Sequence, residues 1–409
     1  MATQRRLPKV SELMEFVPGV PSLPTNRNAV ARAGDLADLR RIAKRRAPAM
    51  VFDYVDGAAE QERSADRARE AFDRVTFRPR VLRNVGQIDP SAEIFGRKVG
   101  MPLVLGPTGF TRMMHQAGES AVAVAAQKAG VPYALSTMGT TSARDVRDAA
   151  PTGWNWFQMY VLKQREVIME RLSMAQDSGM DVLVVTVDTA VAGNRLRDVR
   201  HGMTIPPTIR WSQIPAMATH PAWLADFLTT EPLAFTTAGG DANNIADIAK
   251  SMFDPTVNFD DLAWMRDKWN GKLVIKGVQD VTDAQKLAEI GVDGIVISCH
   301  GGRQLDRAPV PLETLPEMRA SVGDDMHLFL DGGVRSGSDV AAAVALGADA
   351  CFVGRAYLYG LMAAGQFGVE KMLSLFHDEY VRTLALLGLT STDQLTIEAV
   401  KVRDAAVRS

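Results

Sequence analysis

Gly294-Ile295-Val296-Ile297-Ser298-Cys299-His300-Gly301-Gly302-Arg303-Gln304-Leu305-Asp306 joins two kinds of sequence. The first four residues form a short apolar, largely β-branched run, the pattern of a strand buried on both faces. The residues that follow are polar and rich in glycine. Gly301 and Gly302 would let the backbone come close to a flat or anionic ligand. His300 can move a proton near neutral pH, and Arg303 offers a planar fork of donors matched to a carboxylate or phosphate. Taken alone, the segment reads equally well as a Gly-Gly turn with a surface arginine and a hydrogen-bonded histidine.

Its surroundings decide between these readings. Upstream, apolar strand-like runs occupy residues 102–106, 132–135, 156–160, 181–186 and 272–276; downstream they occupy 326–330 and 350–353. Helical patterns follow at 116–129 and 142–149, then a long one ends near 178, with others at 259–269, 284–290, 312–320 and 338–346. With 294–297 this makes eight strands, the first seven followed by these seven helices and the eighth by the remaining chain to about residue 387. Eight such units predict an α/β fold, a closed (β/α)8 TIM barrel of ~250 residues. A doubly wound open sheet is the alternative, but no GxGxxG follows the first strand and GxxxxGK[ST] is absent. The expected organisation is an N-terminal arm over 1–34, a helical segment with a small hairpin between residues 77 and 97 over 35–100, the barrel over 101–395, and a C-terminal tail over 396–409. A long insertion after the fourth strand spans about 189–258.

Composition narrows the class of protein. With 409 residues and 46% hydrophobic content a large core is available, and a formal charge of -2 gives no general attraction to nucleic acid. The two cysteines, Cys299 and Cys351, show neither a metal-binding spacing nor a disulfide framework, which predicts a reducing, cytoplasmic setting without a metal. No run has the ~18 uninterrupted apolar residues of a spanning helix, and no apolar segment follows the first residues as in a signal peptide.

Chemistry in such a barrel collects at the C-terminal ends of the strands. Those positions read Pro107-Thr108-Gly109, Ser136-Thr137-Met138, Gln158 with Tyr160, Thr186 with Asp188, Lys276, Ser298 with His300 and Arg303, Asp331-Gly332-Gly333-Val334-Arg335, and Gly354-Arg355. Every end carries a polar or glycine-rich group. The last two predict a phosphate site, since backbone N–H groups and a helix N-terminus converge there in many barrels. Lys276 ends an apolar strand and reads as a fixed cation or a nucleophile, unless it only snorkels to the rim. Asp188 reads as a partner that could orient His300. Tyr54, outside the eight units, reads on its residues alone as core packing.

These residues resemble the FMN-dependent L-2-hydroxy acid dehydrogenases and oxidases over about residues 35–395. The motifs are S-x-H-G-G-R-Q-L-D at 298–306, D-G-G-V-R at 331–335, G-R-A at 354–356, F-Q-M-Y at 157–160, T-V-D at 186–188 and Val51-Phe52-Asp53-Tyr54. Among its members the bacterial flavin-type L-lactate dehydrogenases look most similar. The resemblance implies FMN as cofactor and oxidation of an L-2-hydroxy acid, most simply L-lactate to pyruvate. L-mandelate dehydrogenation, an oxidase reaction with oxygen and a phosphate-binding isomerase are the alternatives. It makes His300 the base, Asp188 its partner and Lys276 a cation beside the flavin. Arg303, Tyr54 and Arg195 would hold the substrate carboxylate, with Tyr160 on its hydroxyl and Met138 bounding the pocket. Pro107, Thr108, Gly109, Ser136, Gln158, Thr186 and Ser298 would line the isoalloxazine. Asp331, Gly332, Gly333, Arg335, Gly354 and Arg355 would take ribityl and phosphate. The acceptor would be quinone or oxygen, and the assembly a homotetramer. Two departures stand out: Cys299 where the family usually has Asn, and Gly109 where many oxidases carry Ala.

The insertion holds Trp211, Met217, Trp223, Leu224, Phe227 and Leu228, of which the last four are expected on one side of a short helix. That stripe is expected to pack on its own barrel as a lid. The alternative is a peripheral contact at the inner face of a membrane, weakened by Asp226 and few lysines.

Overall fold

A computed structural model describes residues 26–162, 164–202, 217–231, 233 and 254–403. Three short strands precede the barrel: β1 (Val75–Phe77), β2 (Ala92–Ile94) and β3 (Arg97–Val99). The barrel strands are β4 (Leu103–Leu105), β5 (Tyr133–Ser136), β6 (Asn155–Tyr160), β7 (Val182–Thr186), β8 (Lys272–Val278), β9 (Gly294–Ile297), β10 (His327–Asp331) and β11 (Ala350–Val353). A last strand, β12, spans Val400–Val402. All eight expected strands are present. They close in the order β10-β11-β4-β5-β6-β7-β8-β9, every neighbour parallel.

The barrel interior is filled from below. Trp156, Phe329 and Phe352 meet with ring centroids 5.4–5.9 Å apart and share the lumen with Val104, Val184, Val274 and Val296. Phe95, at the turn of the β2–β3 hairpin, plugs the floor against Trp156 and His327. Bulky apolar side chains thus seal the N-terminal end, leaving polar groups to the opposite end.

The expected hairpin between 77 and 97 is replaced by two separate pairings. Residues 92–99 form the hairpin, while β1 pairs antiparallel with β12, Val75 opposite Val402 and Phe77 opposite Val400. Pro79 lacks the N–H needed to extend β1 into a longer ladder. The tail is therefore not separate: residues 400–402 belong to the fold, and 404–409 lie outside the described residues.

Helices Leu36–Arg46, Ala49–Asp56 and Arg63–Asp73 cover the rim and one flank. Asp35 caps the first by accepting the Asp38 N–H, and its Leu39, Ile42 and Ala43 are buried. The long helix Arg355–Leu387 breaks at Ala364–Gly365, where Gly365 has φ 60°. Within the insertion, the helix Pro221–Leu228 docks on the barrel. Trp223 is buried, stacks on Phe227 at 5.0 Å and donates its indole N–H to the Met113 carbonyl at 2.9 Å. Asp226 pairs with Arg46. The expected stripe is split: Trp223 and Met217 point in, Leu224 and Phe227 are half-buried, and Leu228 is 69% exposed. Trp211 lies outside the described residues. Among those described, no helix is long and apolar enough to cross a membrane.

Candidate active site

All the expected site residues except Asp188 and Ser298 line one cavity of about 200 Å³ at the C-terminal end of the barrel. Asp188 and Ser298 stand behind its wall, bonded to His300 and Lys276.

His300 follows β9 with φ 54°, a left-handed backbone that histidine enters more readily than most residues. Its Nδ1 is 2.9 Å from Asp188 Oδ1, and its N–H donates to Ser298 Oγ at 2.9 Å. Burial works to raise the pKa of Asp188, but His300 and Lys276 outweigh it and hold the carboxyl below its ordinary range. Asp188 lies hard against β8: a Cβ on Gly277 (φ 107°) would sit 2.6 Å from its Cβ. A bulge between Lys276 and Val278 makes that approach possible.

Lys276 is buried. Its Nζ lies 2.8 Å from Asp331 Oδ2 and donates to Ser298 Oγ at 2.9 Å. Burial alone would lower its pKa; the carboxylates of Asp331 and Asp188 reverse this, so Lys276 is a cation and not a free amine. The nucleophile reading of Lys276 thereby loses its chemistry.

Arg303 reaches the last turn of helix Ala49–Asp56, donating to the carbonyls of Tyr54 (2.6 Å) and of Gly57 (3.2 Å), the residue that caps it. Its guanidinium and that of Arg195 flank the Tyr54 ring at 5.0 and 5.3 Å. Burial, with Arg195 adding to it, pulls the Arg303 pKa down to about 10. Arg195 is held by Asp198 at 3.3 Å. Tyr54 therefore belongs to the cavity and not only to the core. Tyr160 is also placed there, and burial raises its phenol, keeping the O–H as a donor. Gln158 donates to Thr186 Oγ1 at 2.9 Å and accepts from Ser136 at 3.0 Å, fixing three polar groups along the barrel mouth.

The glycines carry a constraint beyond the sequence reading. A Cβ on Gly301 would fall 2.8 Å from the Arg355 guanidinium, and one on Gly302 2.8 Å from the Ala65 N. On Gly333 (φ 85°) it would lie 2.3 Å from the Ala68 carbonyl. Backbone packing thus restricts Gly302 and Gly333, while Gly301 (φ 62°) and Gly333 also line the cavity. Arg355 also lines the cavity, with three of its five N–H groups given to the carbonyls of Val55, Gly57 and Gly301 at 2.7–2.9 Å. Asp306, which ends the opening motif, accepts the N–H groups of Gln61 and Ser64 and so anchors the loop to helix Arg63–Asp73.

Three groups remain suited to an anionic, hydroxyl-rich ligand. Arg335 rests against Tyr359 at 5.9 Å, and among the described residues its guanidinium donates no hydrogen bond. Burial depresses its pKa, a cost that a phosphate would offset. Asp331 Oδ1 is buried without a partner. The N-terminus of helix Arg355–Leu387 presents unpaired N–H groups beside Gly354. A ribityl phosphate fits this set, and Thr108 stands beside it, since a Cβ on Gly354 would lie 3.5 Å from the Thr108 methyl group.

A family model described as FMN-dependent dehydrogenase matches residues 43–402. The chain belongs to the FMN-dependent dehydrogenases. Its cofactor is FMN. Among relatives of this dehydrogenase, a Mycobacterium tuberculosis protein provisionally named an L-lactate dehydrogenase is 44% identical over 97% of this chain and 96% of its own. The L-lactate dehydrogenase of Caulobacter vibrioides is 41% identical over 86% and 93%. A crystal structure of the monotopic membrane protein (S)-mandelate dehydrogenase is 35% identical with a TM-score of 0.87, covering 91% of this chain and all of that one. One of mandelate oxidase is 32% identical with a TM-score of 0.78, covering 92% and 100%.

In this dehydrogenase the unusual Cys299 sits beside Gly332, and burial with Asp331 pushes its thiol up to about 11. It is packing, not a reactive group. Several cavity residues escaped the sequence reading, among them Phe110, Thr189, Gln304 and Leu358. Only Gln304 carried a signal, its place beside Arg303 in the motif.

Proposed function

We propose that the protein oxidises L-lactate to pyruvate, with electrons passing through FMN to an external acceptor. The supporting observation is the His300–Asp188 pair meeting Arg303, Arg195, Tyr54 and Lys276 at one cavity. Arg303 and Arg195, with the Tyr54 hydroxyl, bind the substrate carboxylate. Tyr160 donates to the substrate hydroxyl. With Nδ1 engaged by Asp188, His300 Nε2 takes the hydroxyl proton, and Asp188 stabilises the resulting imidazolium. Bound FMN would supply the two-electron acceptor that the oxidation requires. Lys276 fixes a positive charge where the ring becomes electron-rich. Arg335, Asp331 and the backbone N–H groups at Gly354–Arg355 hold the ribityl phosphate.

L-Mandelate is the second reading, favoured by the likeness to structures of mandelate-oxidising enzymes. Against it, Met138 narrows the cavity beside Gly109, where a Cβ would lie only 2.7 Å from the Met138 Cβ. A quinone is the acceptor in this proposal, oxygen the weaker one, and the enzyme works at the cytoplasmic face of a membrane. The exposed Leu228 on the insertion supports such a contact. Exposed Val81, Leu82 and Leu386 offer apolar surface for a homotetramer. Anaerobic titration decides the substrate: L-lactate should bleach the oxidised-flavin absorbance stoichiometrically. Bleaching by L-mandelate alone would transfer the assignment to the second reading, and bleaching by neither would end it.

A further inference from the structure

Two loops carry the reactive groups, and they come from different strands. The loop after β9 holds His300 and Arg303; the loop after β7 holds Asp188 and Arg195. Each proposed pair, base with carboxylate and cation with cation, has one member on each loop. Their relative placement must therefore be set by whatever joins the loops.

Gln304 joins them at three points. Its Nε2 donates to the carbonyls of Asp188 and Val191, both at 2.9 Å, and its Oε1 accepts the Gly193 N–H at 3.1 Å. Both amide hydrogens and the acceptor oxygen are thus committed to one loop. The backbones lie in direct contact there: a Cβ on Gly193 would fall 2.1 Å from the Arg303 carbonyl oxygen and 2.9 Å from the Gln304 Cα. The bonded stretch begins at Asp188 itself and ends two residues before Arg195. Across the same junction, only the His300–Asp188 contact is itself part of the proposed chemistry.

We propose that Gln304 is a positioning residue that sets the geometry of the His300–Asp188 and Arg303–Arg195 pairs together. This rests on the roles proposed above for those four residues. An amide is the side chain the task needs, since it provides two donors and an acceptor in one plane without a charge beside Asp188. Losing it frees the β7 loop to drift, which lengthens the base–carboxylate contact and spreads the two guanidinium groups at once.

The test is anaerobic single-turnover reduction by L-lactate in Gln304→Met, together with oxalate binding read from the flavin spectrum. Oxalate serves as a carboxylate probe that is not oxidised. The expected result is normal FMN content, limiting reduction slowed ~10-fold or more, and oxalate affinity weakened ~10-fold, since a small misplacement can cost up to ~10²-fold. Asp188→Asn combined with Gln304→Met should lose less in limiting reduction than the product of the two single losses, because part of the Gln304 effect runs through Asp188, while oxalate affinity should fall as in Gln304→Met. A merely structural role would lower FMN content or Tm and leave the loaded enzyme's reduction rate and oxalate affinity near wild type, overturning the proposal. So would full additivity in the double variant. Gln304→Glu keeps the acceptor for Gly193 and loses both donors; it makes the same measurements if the Met variant does not fold. If Asp188→Asn itself reduces at wild-type rate, the reading of the site fails, which is a separate outcome from failure of this one.

Discussion

At the scale of single residues, His300 and Arg303 differ in what their loss should do. His300→Ala should keep its FMN, because the Arg335 and Lys276 contacts are untouched, and lose flavin reduction by ~10²–10⁴-fold. Asp188→Asn should lose less, since the base remains. Reduction of FMN-loaded His300→Ala near the wild-type rate would remove the base assignment. Arg303→Lys should raise KM and lower kcat through loss of the forked grip. Its pH dependence is the sharper readout. Burial and Arg195 depress the pKa at this position, and a lysine starts from a lower ordinary value than an arginine. The variant should therefore lose its charge, and KM climb, as pH rises through the mildly alkaline range while wild type stays flat. A pH-independent KM in Arg303→Lys would mean that the surroundings do not depress a cation there.

These residue types were legible in sequence because strand ends in a barrel select for them. The packing of the glycines beside them was not legible, because their neighbours, Ala65, Ala68 and Arg355, are remote in the chain. Nothing local shows either that the Arg355 guanidinium spends three of its five N–H groups on the carbonyls of Val55, Gly57 and Gly301.

Among the elements, the helix Arg63–Asp73 packs directly on Gly333 through Ala68 and Phe72. Gly333→Ala would combine φ 85° with a Cβ 2.3 Å from the Ala68 carbonyl, costing ~1–3 kcal/mol from the backbone conformation before any shift of the helix. Chemical denaturation should show a loss of at least that size, with weaker FMN retention; an unchanged midpoint would mean the helix yields freely. Gly109→Ala acts at the other wall, where the new Cβ meets the Met138 Cβ and must push that segment inward. KM should rise more for L-mandelate than for L-lactate, and equal effects on both would place Met138 away from the substrate. Strand and helix order were readable from the alternation of apolar runs. The β1–β12 pairing was not, since three-residue strands leave almost no periodic trace.

For the whole molecule, the helix Pro221–Leu228 is fastened at Trp223 and at the Asp226–Arg46 pair, while its outer face stays open. Trp223→Ala should make the insertion a preferred site of limited proteolysis without reducing FMN content, because Trp223 and its partners Met113 and Phe227 do not line the cavity. Cleavage no faster than wild type would show that other contacts hold the segment. The sequence identified an apolar stripe here. It could not divide the stripe into inward and outward residues, because that division is set by the Met113 carbonyl and by Arg46.

The pairing of β1 with β12 has a consequence in time. Phe77 finds its partner only when Val400 has been made, and at ~5–20 residues per second of synthesis this delay is tens of seconds. Throughout that interval β1 is an open edge on a growing chain, next to barrel strands that likewise cannot close until β11 arrives to meet β4. A ribosome-bound fragment ending before residue 400 should thus be the species most prone to mispairing, and the one on which a chaperone would act.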